Sequence, residues 1–117
     1  MYKFERITED SYNKIKHLSK RTYNINRSEL SITNKYNTKM FGKMNIGILA
    51  ETNKNELAAF YGVFPLVLEY KEREYLVAQS GDTMTAPEHR KKGLFIKLAK
   101  LTYAIAKKEG VKAVFGF

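Results

Sequence analysis

The chain has no cysteine and no tryptophan, and only two prolines and two histidines among its 117 residues. Without cysteine, neither a disulfide nor a thiolate metal site can form. That is compatible with the cytoplasm, the expected location. His17 and His89 are too few and too far apart in sequence to suggest a metal cluster, so both read as surface histidines and no metal is expected. No apolar run reaches membrane-spanning length. The opening Met1-Tyr2-Lys3-Phe4-Glu5-Arg6 lacks the long apolar core of a signal peptide, and no membrane association is expected. Internal repeats, low-complexity tracts and linkers are also missing. The length suits one small domain with one core.

What the chain has in excess is positive charge. Its formal net charge is +9, unevenly placed: residues 1–44 carry +6, residues 45–87 carry −3 and residues 88–117 carry +6. A basic chain attracts polyanions of any kind, so nucleic acid, anionic lipid and a phosphorylated cofactor all pass this test. The acidic middle reads as sheet, flanked by basic ends.

Residues 2–7 alternate loosely and suit a first strand. Thr8-Glu9-Asp10-Ser11 has helix-start chemistry, with a capping hydroxyl and two acids for the first turn. Tyr12, Ile15, Leu18 and Tyr23 then mark an apolar stripe with Lys14, Lys16 and Lys20 facing out, giving a helix over about residues 9–21. Asn24-Ile25-Asn26-Arg27 breaks it. A weaker helix starts at Ser28 and runs towards Tyr36, and the polar stretch 34–43 reads as loop. Residues 45–52 make a strand in which Ile46, Ile48 and Ala50 oppose Gly47 and Leu49. Residues 56–70 are nearly all apolar, so both faces of that strand should be covered, with a bulge or bend at Pro65. Lys71-Glu72-Arg73-Glu74 is a charged turn. Residues 75–85 form the next strand, and three strands joined by short turns make an antiparallel meander. Leu94, Leu98, Leu101 and Ile105 recur at helical spacing, with Lys107 and Lys108 suiting the C-terminal dipole and Gly110 a stop residue. Residues 111–117 are a last strand, parallel to 75–85 because a helix joins the two.

The chemistry concentrates between that strand and that helix, in Thr85-Ala86-Pro87-Glu88-His89-Arg90-Lys91-Lys92-Gly93-Leu94-Phe95. Pro87 cannot donate to a ladder, so the strand ends before it. Gly93 stands where the chain enters the helix. A helix start leaves N–H groups free and carries partial positive charge, and Arg90, Lys91 and Lys92 add three full charges. The combination suits an anion such as a phosphate. It is neither a Walker loop nor a three-glycine dinucleotide fingerprint. The plainer alternative is a solvated basic loop with a glycine at a tight turn.

Pro87 to Phe95 resembles the acetyl-CoA loop of GNAT superfamily N-acetyltransferases, whose pattern is Arg or Gln, two residues, Gly, one residue, then Gly or Ala. Arg90 and Gly93 match it. Phe95 stands where a small residue is usual, as in a GNAT-like subgroup with Gly-Ile-Phe or Gly-Leu-Phe. Lys108 to Phe117 is similar to the helix end and next strand of that subgroup. The resemblance implies an α+β fold: a GNAT-like mixed sheet in the order strand, helix, helix, three antiparallel strands, helix, parallel strand. It implies one domain over residues 1–117, truncated before the family's C-terminal helix and strands.

The implied reaction is transfer of an acetyl group from acetyl-CoA to a primary amine. Amides of Arg90, Lys91, Lys92, Gly93, Leu94 and Phe95 would hold the cofactor's pyrophosphate, and the main chain of Thr83, Met84 and Thr85 would pair with its pantetheine arm. Asp82 and Glu88 are the nearest carboxylates able to act as base, directly or through water, while a solvated or turn carboxylate is the favoured reading of each, and no catalytic residue is assigned. The family's leaving-group tyrosine would lie beyond residue 117. The family's substrate-bordering region would bring Tyr23, Tyr36, Met40 and Phe41 near the acceptor, while ordinary core or rim aromatics are the favoured reading of these four. The acceptor is a small-molecule amine, with an amino sugar the first guess. No specific nucleic-acid partner is expected. A homodimer, or completion by another chain, is expected through the exposed edge of the last strand. The rival readings are a non-enzymatic basic module for nucleic acid or another polyanion and a catalytically inactive GNAT-like structural domain.

Overall fold

A computed structural model describes residues 2–26, 28–38 and 45–116, with Glu29 described by its backbone alone. Met40 and Phe41 lie outside the described residues. The elements are β1 (Tyr2–Arg6), α1 (Tyr12–Tyr23), α2 (Glu29–Tyr36), β2 (Gly47–Thr52), β3 (Leu57–Tyr70), β4 (Arg73–Thr85), α3 (Leu94–Lys108) and β5 (Val114–Phe115). The five strands lie side by side in chain order. The first four are mutually antiparallel and β5 runs parallel to β4. This is the mixed α+β sheet expected from the sequence.

Alternation along the strands builds two cores, one on each face of the sheet. Ile48 and Ala50 of β2, with Tyr61 and Val63 of β3, face Leu94, Leu98 and Ala106 of α3. Leu49, Phe60 and Met84 face the other way, onto Ile15 and Leu18 of α1 and Ile32 and Tyr36 of α2. Burying each of the leucine, isoleucine, valine, phenylalanine and methionine side chains among them stabilises the fold by about 1.5–3 kcal/mol. Among the described residues, no helix is long and apolar enough to cross a membrane.

Local chemistry explains the helix ends. A one-turn 3₁₀ segment, Glu9–Ser11, precedes α1, and Thr8 N–H donates to Ser11 Oγ at 3.0 Å. Asn24 closes α1 in the left-handed region at φ 56°. Ser28 caps α2 by accepting from Ser31 N–H at 3.0 Å. Residues 34–36 belong to α2 rather than to a loop. Ile32 and Tyr36 sit four apart on one face and are both fully buried, so packing extends the helix past its polar residues.

Strands β3 and β4 correct three expectations. Pro65 lies in register with Ala78, without a bulge. Val63 N–H reaches back to Ile46 O at 3.0 Å, so Pro65 two residues on turns its nitrogen to the same side. β2 begins opposite Gly62, so among the described residues no strand lies beside Pro65 on that side to need a donor. The irregularity falls at Gly62/Val63 instead. Full coverage holds for Leu57 to Val63 but not beyond, where Val67, Leu68 and Tyr70 are exposed. Among the described residues, that outer half of β3 pairs with β4 alone, as a two-stranded ribbon. Finally, the charged turn is only Lys71-Glu72, with φ of 50° and 64° between the paired Tyr70 and Arg73, a hairpin turn of the primed kind.

Candidate functional site

Helix α3 begins without a lid on its N-terminus. Its residues come off a 3₁₀ turn, Pro87–His89, and then Gly93, the N-cap residue, at φ 73°. The first backbone bond of the helix is Lys97 N–H to Gly93 O at 3.2 Å. The N–H groups of Leu94, Phe95 and Ile96 therefore have no acceptor in the helix. Among the described residues no side-chain cap bond closes them, and no acid stands in the first turn. A Cβ built on Gly93 would meet nothing within 4 Å. The space in front of these amides is thus open to a ligand. Arg90, Lys91 and Lys92 are all exposed around it. A groove of about 250 Å³ is lined by Thr85, His89, Arg90, Lys91 and the residues from Gly93 to Ile96. Lys91 also takes a positive φ, 63°, which bends the loop over the helix start.

The loop is pinned on both sides. Tyr2 Oη lies 2.8 Å from His89 Nδ1, and the two rings meet edge-on at 5.4 Å. Arg21 of α1 pairs with Glu88 and reaches Leu57 O at 3.4 Å with its other amino group. The Glu88 carboxyl is held below the usual carboxylate range by its own backbone N–H first. Arg21 and His89 add to this, against a desolvation that pushes the other way. Glu88 is thus engaged as an anchor for the loop. Arg90 Nε donates to Thr85 O at 3.4 Å. Phe95 is half exposed, and its ring leans on Tyr61 at 5.8 Å, which gives a large side chain a resting place at a position where small ones are usual.

Beside the loop, β4 and β5 part. They share the pairs Ala78/Val114 and Gln79/Phe115, with Lys112 N–H to Leu76 O at 2.8 Å just before. From Ser80 onward the β5-side edge of β4 has no strand partner among the described residues. The expected strand 111–117 is only two residues long because Val111 serves instead to close α3, its N–H bonding Ala106 O at 2.9 Å. Phe117 lies outside the described residues. Ala86 N–H donates to Ala58 O of β3. By strand alternation Thr83 and Thr85 turn their main chain to the open edge. Their carbonyls accept from Tyr23 Oη, at 2.7 Å, and from Arg90.

One extra residue organises the wedge. Gly62 pairs with Asp82 and Val63 with Ser80, so Gly81 is the unpaired bulge residue. A bulge flips the parity of the residues beyond it. Before it, Ser80 faces α3, where its hydroxyl lies 2.9 Å from Tyr61 Oη, itself 3.0 Å from Tyr103 Oη. The Tyr61 hydrogen bond, more than burial, raises the Tyr103 pKa above the ordinary phenol value. After it, Asp82 and Met84 face α1 and α2. Asp82 is buried, accepts from Tyr36 Oη at 2.5 Å and lies 3.4 Å from Lys35 Nζ.

Of the nine expected cofactor-loop and strand residues, Thr85, Arg90, Lys91, Gly93, Leu94 and Phe95 line the groove, while Lys92 and Thr83 are exposed outside its lining and Met84 is buried. The Met84 side chain is core and its main chain faces β3 opposite Phe60, so Met84 offers nothing to the open edge, which is left to Thr83 and Thr85. Tyr36 is a core residue backing Asp82, as the favoured reading had it, and Tyr23 borders the wedge through Thr83. Lys35, Tyr61, Ser80, Tyr103 and Tyr2 were not singled out for the site. The only local signal for any of them was Gly81 within a strand, a bulge marker.

The fold and this site can be compared with known proteins. The family model described as an acetyltransferase (GNAT) domain matches residues 3–117. Among curated proteins, none matches the sequence. Among solved structures, a predicted acetyltransferase with acetyl-CoA from Clostridium acetobutylicum superposes with a TM-score of 0.76 at 16% identity, over 100% of this chain and 80% of that one. Glucosamine-6-phosphate N-acetyltransferase from Arabidopsis thaliana gives 0.72 at 14% identity, over 100% and 82%. Aminoglycoside 6'-N-acetyltransferase from Acinetobacter baumannii gives 0.70 at 13% identity, over 100% and 79%.

Proposed function

The chain belongs to the GNAT acetyltransferase family, and from that premise we propose that it transfers an acetyl group from acetyl-CoA to a primary amine. The observation that carries the reading is the uncapped start of α3: three uncommitted N–H groups, a glycine with free space before it, and three exposed cations. That set fits a diphosphate, which needs several donors, close backbone approach and positive charge together. When bound, acetyl-CoA supplies an activated acyl thioester.

The chain's own residues then have separable tasks. The amides of Leu94 to Ile96 hold the pyrophosphate, and Lys91 and Lys92 act as point charges on its phosphates. The edge of β4 from Thr83 to Thr85 aligns the pantetheine arm. Main-chain N–H at that edge polarises the thioester carbonyl, which gains negative charge as the amine adds. The amine must lose a proton for the addition to proceed, and Asp82 is the nearest carboxylate set into the wedge. An amino sugar is the first acceptor class to try, since two of the fold relatives are named for glucosamine 6-phosphate and an aminoglycoside.

An amide-resolved NMR titration with acetyl-CoA, with ATP as control anion, tests the site. Saturable shifts centred on residues 83–85 and 90–96, larger for acetyl-CoA than for ATP, are expected. Diffuse, salt-sensitive shifts shared by both ligands would leave only a basic surface and sink the reading. Release of free thiol on adding an amine from a panel of amino sugars, amino acids and polyamines then tests the chemistry.

A further inference from the structure

Lys35 carries a primary amine into the wedge. Its Nζ lies 3.4 Å from Asp82 Oδ2, 3.4 Å from the carbonyl oxygen of Gly81 and 5.6 Å from the centre of the Phe64 ring. A carboxylate, a backbone carbonyl and an aromatic face together make a site for an alkylammonium group. The site is built rather than casual. Asp82 is fixed from behind by the buried Tyr36. Gly81 leaves the room, since a Cβ there would stand 3.1 Å from Tyr36 Oη, 3.1 Å from Phe64 Cδ1 and 3.2 Å from Lys35 Cε. Among the described residues, no other lysine reaches the main chain of β4. The Lys35 side chain nevertheless keeps 31% of its surface in solvent.

We propose that Lys35 is itself an acyl acceptor, so that the enzyme acetylates its own chain at Lys35 Nζ. The inference rests on the acetyl-transfer reading above. A tethered amine in the amine site has an effective concentration of about millimolar or more, ahead of any dilute acceptor. In the balanced step, Asp82 takes one proton from the Lys35 ammonium. The freed lone pair adds to the thioester carbonyl carbon, the C–N bond forms and the C–S bond breaks. The second proton leaves the nitrogen for the departing thiolate, giving an amide and free CoA thiol. The product has no charge on Lys35, so the Asp82 carboxylate loses that cation and the cation site is opened to an external amine.

The test incubates the folded protein with acetyl-CoA and maps acetyl-lysine by peptide mass spectrometry over time, with the heat-unfolded chain as control. Acetyl-CoA modifies exposed lysines slowly without catalysis, and Lys91 and Lys92 are the internal reference for that. One acetyl group, at Lys35, is expected to form ahead of Lys91 and Lys92 and faster than in the unfolded chain. Lys35→Arg keeps the ion pair and should leave no fast-labelling position. Asp82→Asn should slow Lys35 labelling on the order of 100-fold, with folding checked by circular dichroism. Labelling of Lys35 no faster than Lys91, or equal labelling in the unfolded chain, overturns the proposal. So does an unmodified Lys35 in a protein that acetylates an external amine, an outcome in which the function proposed above stands. If the NMR titration shows no acetyl-CoA site and no amine is acetylated, that function fails and the inference falls with it.

Discussion

Helix α3 ends in a glycine at each terminus, and the two do opposite things. Gly93 and Gly110 both take the left-handed region, at φ 73° and 90°, and a Cβ on either would meet nothing within 4 Å. At the C-terminal end the backbone closes on itself. Gly110 N–H donates to Lys107 O at 3.1 Å and Val111 N–H to Ala106 O at 2.9 Å, the paired bonds of a Schellman cap, with Val111 buried. Lys107 and Lys108 add the charge the dipole favours there, and Arg6 pairs with Glu109 at 2.7 Å. At the N-terminal end nothing is closed: no cap, no acid, and three cations where the dipole is already positive. One end is arranged for stability and the other stores unsatisfied donors. A helix end that frustrates both its hydrogen bonds and its charge is stabilised by an anion that the other end has no use for.

The largest expected effect comes from substituting the two glycines separately. Each should lose about 1–2 kcal/mol of folding stability to left-handed strain. Gly93→Val should also weaken acetyl-CoA binding roughly 100-fold, since loss of one or two charge-assisted bonds is worth about 3 kcal/mol. Gly110→Val should leave affinity where it was. Calorimetric titration beside thermal melts separates the two quantities, and equal affinity loss in both variants would mean that strain, not phosphate approach, is being measured.

A smaller effect follows from the charges. Lys91→Ala and Lys92→Ala should each weaken acetyl-CoA binding by about two- to tenfold at low salt, and the deficit should shrink as salt screens the exposed side chains. Lys107→Ala and Lys108→Ala, at the closed end, should change melting temperature slightly and binding not at all. A binding deficit at Lys107 as large as that at Lys91 would erase the distinction between the ends.

The smallest effect belongs to Glu88. Its folded pKa lies below its ordinary value, so the native state favours the carboxylate. The resulting stabilisation is complete above the unfolded-chain pKa and is lost as pH falls through the folded one. Wild type and Glu88→Gln should therefore differ slightly in melting temperature near neutrality and converge in acid. A difference that persists at low pH would assign the effect to packing.

The glycine ends of α3 were legible from sequence because they obey local rules: Gly93 after a basic turn, Gly110 after the last periodic residue. So were the meander of β2 to β4 and the parallel run of β5, since apolar alternation and one strand–helix–strand connection restrict topology. What escaped depends on contacts between distant residues. Pro65 has a local cost that the sequence displays, yet its tolerance depends on where β2 begins against β3, which the sequence does not display. Gly81 had no marker apart from being a glycine in a strand, so the parity change that turns Asp82 towards α2 was unreadable. Lys35 fell within the polar stretch that reads as loop, and only the meeting of α2, β3 and β4 sets its amine on a carboxylate.

The bond between Tyr2 and His89 spans 87 residues of chain. Contacts so far apart close late, after loop entropy has been overcome by nearer pairings. A chain with β1 to β3 assembled would already hold most of one core and yet have no pinned loop before α3. A ligand seated on that loop recognises only the fully folded chain, so it stabilises the native state by mass action without helping any precursor. Added to a refolding chain, acetyl-CoA should therefore slow unfolding and leave the rate of folding unchanged, acting as a latch on the completed molecule rather than a template for it.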